Sequence, residues 1–126
     1  MSDYTLPRAE RLRSLKAIRR LFSEGRSGFV YPFRYIYFAE ADLCASAKLL
    51  FSVPKRFHKR ANKRNLLRRR TKEAYRLNRE LLVDGIAASI DLALVYSSKD
   101  RLEYQKIERS VKKILQQVRD EVAAEL

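Results

Sequence analysis

The sequence predicts a single α+β domain, helices packed on a small β-sheet. Three observations lead there. Three segments carry apolar residues at helical spacing, and three others are short runs rich in aromatic and aliphatic residues. The two kinds alternate as helix, strand, strand, helix, strand, helix. Finally, with three Gly, three Pro and no repeat or Gly/Ser linker in 126 residues, nothing divides the chain, so residues 1–126 read as one domain. An apolar fraction of 46% supports a real but modest core.

Taken in order, Ser14 is placed to cap a helix through LKAIRRLFSE, with Gly25 as its C′ residue. Leu15, Ile18, Leu21 and Phe22 form its apolar stripe. FVYPFRYIYF at 29–38 reads as a strand whose Pro32 marks an edge or a bend. KLLFSV at 48–53 reads as a second strand, antiparallel to the first through a short loop and ended by Pro54. A helix over about 60–80 follows, broken by VDG at 83–85. DLALVY at 91–96 is almost continuously apolar, as a central strand buried on both faces should be. Asp100 with Glu103 resembles a capping box, and Ile107, Val111, Ile114, Leu115, Val118 and Val122 stripe a final helix over about 101–124.

Charge narrows the function. The formal net charge is +13, and it is concentrated: residues 55–79 hold twelve basic side chains and one acidic, whereas 80–126 hold seven basic and nine acidic. A positive charge kept only for solubility would be scattered; a block of it marks a polyanion binder. Cys44 is the only cysteine, so an internal disulfide is excluded and a reducing compartment fits. No apolar run approaches the roughly 20 residues of a membrane span, and the first residues, MSDYTLPRAERL, lack a signal-peptide core. The expectation is a cytoplasmic protein.

The segment KRANKRNLLRRRTKEAYR at 59–76 has nine Lys or Arg in eighteen residues. As a helix it turns Leu67, Thr71, Ala74, Tyr75 and Leu81 toward the sheet and lines Arg60, Arg64, Arg68, Lys72 and Arg76 along a flank, with Asn65 and Arg69 beside them. Four like-charged i, i+4 pairs cost on the order of 1–2 kcal/mol, a penalty that an anionic partner removes. Arg outnumbers Lys in this stretch, which suits bidentate phosphate contacts. No helical trio or zipper is present to dock a DNA reader, and aromatic strands beside a basic helix favour RNA, whose unpaired bases stack on rings. His58 reads as a solvated or phosphate-facing residue of a basic loop rather than a general base. Neither a carboxylate pair in an apolar setting nor Cys/His metal spacing is present.

Three stretches resemble the protein component of bacterial ribonuclease P: LPRAERLRSLKAIRRLFSEGRS, LLFSVPKR and RANKRNLLRRRTKEAYR, together covering roughly residues 7–80. The third is similar to the family's Arg-Asn-Arg helix, with the departure that Arg64-Asn65 is followed by Leu66; Arg70, at a position usually apolar, is the candidate to compensate. The resemblance implies an α-β-β-β-α-β-α sandwich of ribosomal-protein type with a left-handed βαβ crossover, the missing strand coming from division at Pro32. It implies a non-catalytic subunit, in the cytoplasm and 1:1 with the RNA subunit, that helps ribonuclease P RNA remove the 5′ leader of precursor tRNA. Mg2+ would sit on the RNA, with no cofactor on the protein. Lys55, Arg56, Arg64, Asn65, Arg68, Arg69 and Lys72 would grip the RNA subunit. A cleft between the first helix and the sheet would hold the leader, through Ile18, Phe22, Arg34, Ile36, Lys48 and Ser52. The alternative is a ribosomal-RNA-binding module with no enzymatic partner.

Overall fold

The computed structural model describes residues 11–125; the part of the first resembling stretch that precedes Arg11 lies outside them. The elements are α1 (Leu15–Glu24), β1 (Arg26–Val30), β2 (Phe33–Ala41), β3 (Ser46–Ser52), α2 (Ala61–Asn78), α3 (Glu80–Val83), β4 (Ala88–Tyr96) and α4 (Tyr104–Glu125). This is the expected series with one short helix added. The 29–38 run divides at Tyr31–Pro32, a cis peptide, because proline has no N–H for the ladder. Val30 and Phe33 then pair across a two-residue turn.

The sheet order is β1-β2-β4-β3. Here the expected pairing fails: β3 runs opposite to β2 but does not touch it, because β4 lies between them, antiparallel to β2 and parallel to β3. The cause is apolarity. In β4 the residues Ile90, Leu92, Ala93 and Leu94 are all buried, so the strand needs covering on both faces and both edges, while β3, which exposes Ser46 and Lys48, tolerates the edge. The loop Asp42–Ala45 spans the roughly 10 Å of two strand spacings with ease.

One sheet face, with Phe33, Tyr35, Tyr37, Leu49, Leu92 and Leu94, builds the main core against α2 and α4. All six apolar residues expected along the last helix are buried. In α2 Leu67, Thr71, Ala74 and Tyr75 are buried, but they meet α4 more than the sheet. Leu81 is displaced from that set: Asn78 donates its amide to the Ala74 carbonyl (2.8 Å) and to Glu108 (3.0 Å), the helix stops there, and α3 buries Leu82 instead. Asp100 does not cap α4, which begins four residues later; its carboxylate accepts from the Tyr31 hydroxyl and its N–H donates to Ser98.

On the opposite face α1 covers a smaller apolar cluster of Leu12, Leu21 and Ala93, with Ile18, Ile36, Phe38 and Leu50 at its margin. Ser14 caps α1 as expected, accepting from the Ala17 N–H at 3.3 Å. Gly25 is needed for a different reason from the one expected. Its φ of −73° is open to any residue, but a Cβ would lie 2.4 Å from the Leu21 carbonyl oxygen and 2.8 Å from Ile36. Only half of the α1 stripe is covered: Leu21 is buried, while Leu15 and Phe22 are 62% and 50% exposed.

Candidate nucleic-acid interface

The basic helix starts without a side-chain cap and with no acidic residue in its first turn, so its amide dipoles add to the side-chain charge there. Arg64 takes over part of the anchoring: its guanidinium donates to the carbonyls of Lys59 (2.7 Å) and His58 (3.1 Å), pinning the approach loop to the helix. Arg68 donates to Asn65 Oδ1 at 3.1 Å. These acceptors are neutral, so both arginines keep their charge. Lys72 lies on the same flank, half-buried. Burial first, then Arg68 and Arg11, hold its ammonium below the ordinary value. Arg11 comes from the segment that bridges to Leu49 on the edge of β3. The cationic flank of α2 therefore continues onto the N-terminal segment, a link the sequence pattern does not show.

Asn65 and Arg69 stand exposed on the outer side of α2, and Lys55 and Arg56 are exposed in the turn after β3, Arg56 lying 4.9 Å over the Phe57 ring. Lys55 and Arg56 thus stand in the loop that leads to α2, and Arg64, Asn65, Arg68, Arg69 and Lys72 form a band along the helix. Leu66 and Arg70 point away from it. Leu66 lines a trough of about 440 Å³ between α2 and α4 with Leu77 and Tyr104, Arg69 standing at the border of trough and band, and Arg70 donates to the Leu102 carbonyl at 2.6 Å. Arg70 is a brace to the approach of α4, not a stand-in for the missing arginine. His58 is not solvated: it is 6% exposed, its Nε2 donates to the Ser98 carbonyl at 2.8 Å, and its ring meets Tyr96 edge-on. A histidine flanked by Phe57, Lys59 and Arg60 looks like a surface residue in sequence; its burial comes from the distant β4–α4 connection.

The second surface is the α1 side of the sheet. Residues directly opposite in the ladder share a face, and the register gives a row Phe29–Arg34–Val95–Ser52. The next row on this side is Ile36–Ala93–Leu50, and the third is Phe38–Asp91–Lys48. α1 covers the apolar middle row, where Ile36 and Ile18 are half-buried cluster members. Arg34 and Ser52 lie in the row beyond it, with exposed Phe22 and the 57% exposed Phe29 as aromatic surfaces. Lys48 is two rows away, in a recess of about 320 Å³ that also takes in Arg11, Arg13, Arg20 and Asp91. The six expected cleft residues therefore line one face but not one pocket. Phe29 was missed, although alternation carried back through the Pro32 turn places it beside Arg34.

Asp91 is buried in that recess. Arg20 reaches it at 3.7 Å, pairs with Glu40 at 3.1 Å and lies 4.6 Å over the Phe38 ring. Burial raises the Asp91 carboxyl, while Arg20 and Lys48 oppose the rise. Among the described residues no group of His, Cys, Asp or Glu is placed to hold a metal ion, and no helix is long and apolar enough to cross a membrane.

A family model described as Ribonuclease P matches residues 6–119. The chain belongs to the ribonuclease P protein family. It is the protein subunit of that tRNA 5′-processing ribonuclease. A ribonuclease P protein component of Porphyromonas gingivalis is 33% identical over 118 residues, covering 90% of this chain and 86% of the relative. One from Chlorobaculum tepidum is 36% identical over 89 residues, covering 65% of this chain and 56% of the relative. The fold matches the RNase P protein of Thermotoga maritima with a TM-score of 0.69 at 22% identity, covering 86% of this chain and 96% of that one. Family membership implies an RNA subunit as partner.

Proposed function

We propose that this subunit binds the RNA of ribonuclease P through the α2 band and the single-stranded 5′ leader of precursor tRNA across the α1 face of the sheet, one protein to one RNA. The reading rests above all on one observation: Arg64 and Arg68, in the middle of the basic block, donate to neutral acceptors and leave their charge for an outside anion. The chemistry then belongs to the RNA, which holds the Mg2+ ions that activate water. The protein offsets phosphate repulsion between the two RNAs and adds affinity for the leader. Arg34 and Lys48 supply charge on the leader face; Phe22 and Phe29 supply rings on which bases stack, an interaction worth about 1–3 kcal/mol per base.

The test mixes protein, ribonuclease P RNA and precursor tRNA at low magnesium. Cleavage faster than with RNA alone is expected, and the acceleration should shrink for a precursor whose leader is one nucleotide long. If the protein brings no acceleration, the reading fails.

A further inference from the structure

The outer face of α4 has no role in the two surfaces above, and its charge is arranged against the helix's own interest. Lys106, Arg109, Lys112 and Lys113 are all exposed and follow one another at i+3 and i+4. Like charges at those spacings repel. The first turn carries no acidic residue and the last turn no basic one, and Asp120, Glu121 and Glu125 gather toward the C-terminal end. A helix dipole favours the reverse order. None of the four cations is ion-paired among the described residues.

The position of this face matters as much as its charge. α2 and α4 run parallel: Arg70, midway along α2, reaches Leu102 just before α4, and Asn78, the last residue of α2, reaches Glu108. α2 thus ends level with Glu108, and Arg109, Lys112 and Lys113 carry positive charge on past its end, beyond the trough of Leu66, Arg69, Leu77 and Tyr104, in which Glu73 is held by Arg76. Gln105 and Gln116 border Arg109, Lys112 and Lys113 and offer amides rather than apolar surface; Glu108, the one acid beside them, is engaged by Asn78 and Tyr104. A membrane-lying helix would need large apolar groups there; hydrogen-bonding amides among cations suit a sugar–phosphate backbone.

We infer that Lys106, Arg109, Lys112 and Lys113 on α4 form a second phosphate-binding rail, which holds a separate segment of the RNA subunit beyond the one held by α2. This rests on the RNA-binding reading of α2.

The full-length protein with Arg109, Lys112 and Lys113 all changed to Gln is compared with wild type and with Arg68→Ala/Lys72→Ala, measuring affinity for ribonuclease P RNA from 50 to 400 mM salt and melting temperature. Loss of three phosphate contacts should flatten the log–log salt slope by about 2–3, with a melting temperature equal to or above wild type because the inverted charge order is relieved. A wild-type slope for the Gln variant, when the α2 variant's slope falls, overturns the second rail and leaves the α2 reading intact. If neither variant changes the slope, the RNA-binding reading itself fails. Loss of binding to phosphatidylglycerol vesicles without loss of RNA affinity would assign the face to a membrane and also overturn the proposal.

Discussion

Replacing Arg68 and Lys72 together by Ala should weaken RNA binding and leave the fold intact. On the stability side, the change removes the i, i+4 repulsions of Arg64 with Arg68, Arg68 with Lys72 and Lys72 with Arg76, about 0.2–0.5 kcal/mol each. It gives up the Arg68–Asn65 bond at an exposed site, of about 0.5 kcal/mol. The net change is within about 1 kcal/mol, or roughly 3–5 °C for a domain of this size. On the binding side, a protein neutralising about six phosphates has a log–log salt slope near −4 to −5 and loses about 10³-fold in affinity between 50 and 200 mM salt. With four contacts left the slope falls to about −3 and the loss to about 10²-fold. Arg64→Ala is the contrasting variant. It breaks the bonds to the Lys59 and His58 carbonyls, so it should lower stability by about 1–3 kcal/mol as well as binding. Thermal melts and RNA titrations across salt check both. A double variant that melts as early as Arg64→Ala, or keeps the wild-type slope, would refute the division into gripping and bracing arginines.

Other outcomes follow from the same geometry. Phe22→Ala with Phe29→Ala should raise KM for precursor tRNA with a long leader by tenfold or more, from about 1–3 kcal/mol per lost stack, and leave affinity for the RNA subunit unchanged. Lys72 has a folded-state pKa below its unfolded value, so its proton is released first from the folded state and stability rises as pH climbs through that window. A phosphate contact restores the proton, so RNA binding at alkaline pH should take up protons, detectable by calorimetry in buffers of different ionisation heat and diminished in Lys72→Arg. Asp91 is shifted the other way: the folded state holds its proton more tightly, and stability falls as pH rises through its titration. Asp91→Asn should therefore match wild type at low pH and melt at the same or a higher temperature at pH 7. His58→Ala leaves the Ser98 carbonyl without its donor and should cost about 1–3 kcal/mol, partly recovered by Gln.

Features set by local spacing could be read from the sequence. The stripe along α4, the four buried residues of α2, the Ser14 cap and the apolarity of β4 all follow from side chains within a turn or two of each other. What escaped depends on distant chain. Nothing near 48–53 says that residues forty positions later will separate this strand from β2. Gly25 was expected at the right place for the wrong reason, because the close approach of Ile36 is a tertiary fact. His58 reads as a surface residue because its neighbours in sequence are basic, and Arg70 as a substitute for the arginine missing at Leu66; their actual partners, Ser98 and Leu102, belong to the β4–α4 connection.

The insertion of β4 also explains how one small sheet serves stability and binding together. Because β4 is central, its alternate residues divide the domain: Ile90, Leu92 and Leu94 go to the main core, and Asp91, Ala93 and Val95 go to the α1 side. α1 is only 10 residues long and cannot cover the second set completely. What it leaves open is the row of Phe29, Arg34, Val95 and Ser52 and the recess around Asp91. Extending α1's cover, for instance with leucine at Ala17, which lines the recess, should therefore close space without adding core. If such a variant gained stability and kept full leader affinity, the open face would be spare surface, and the leader would have to lie elsewhere.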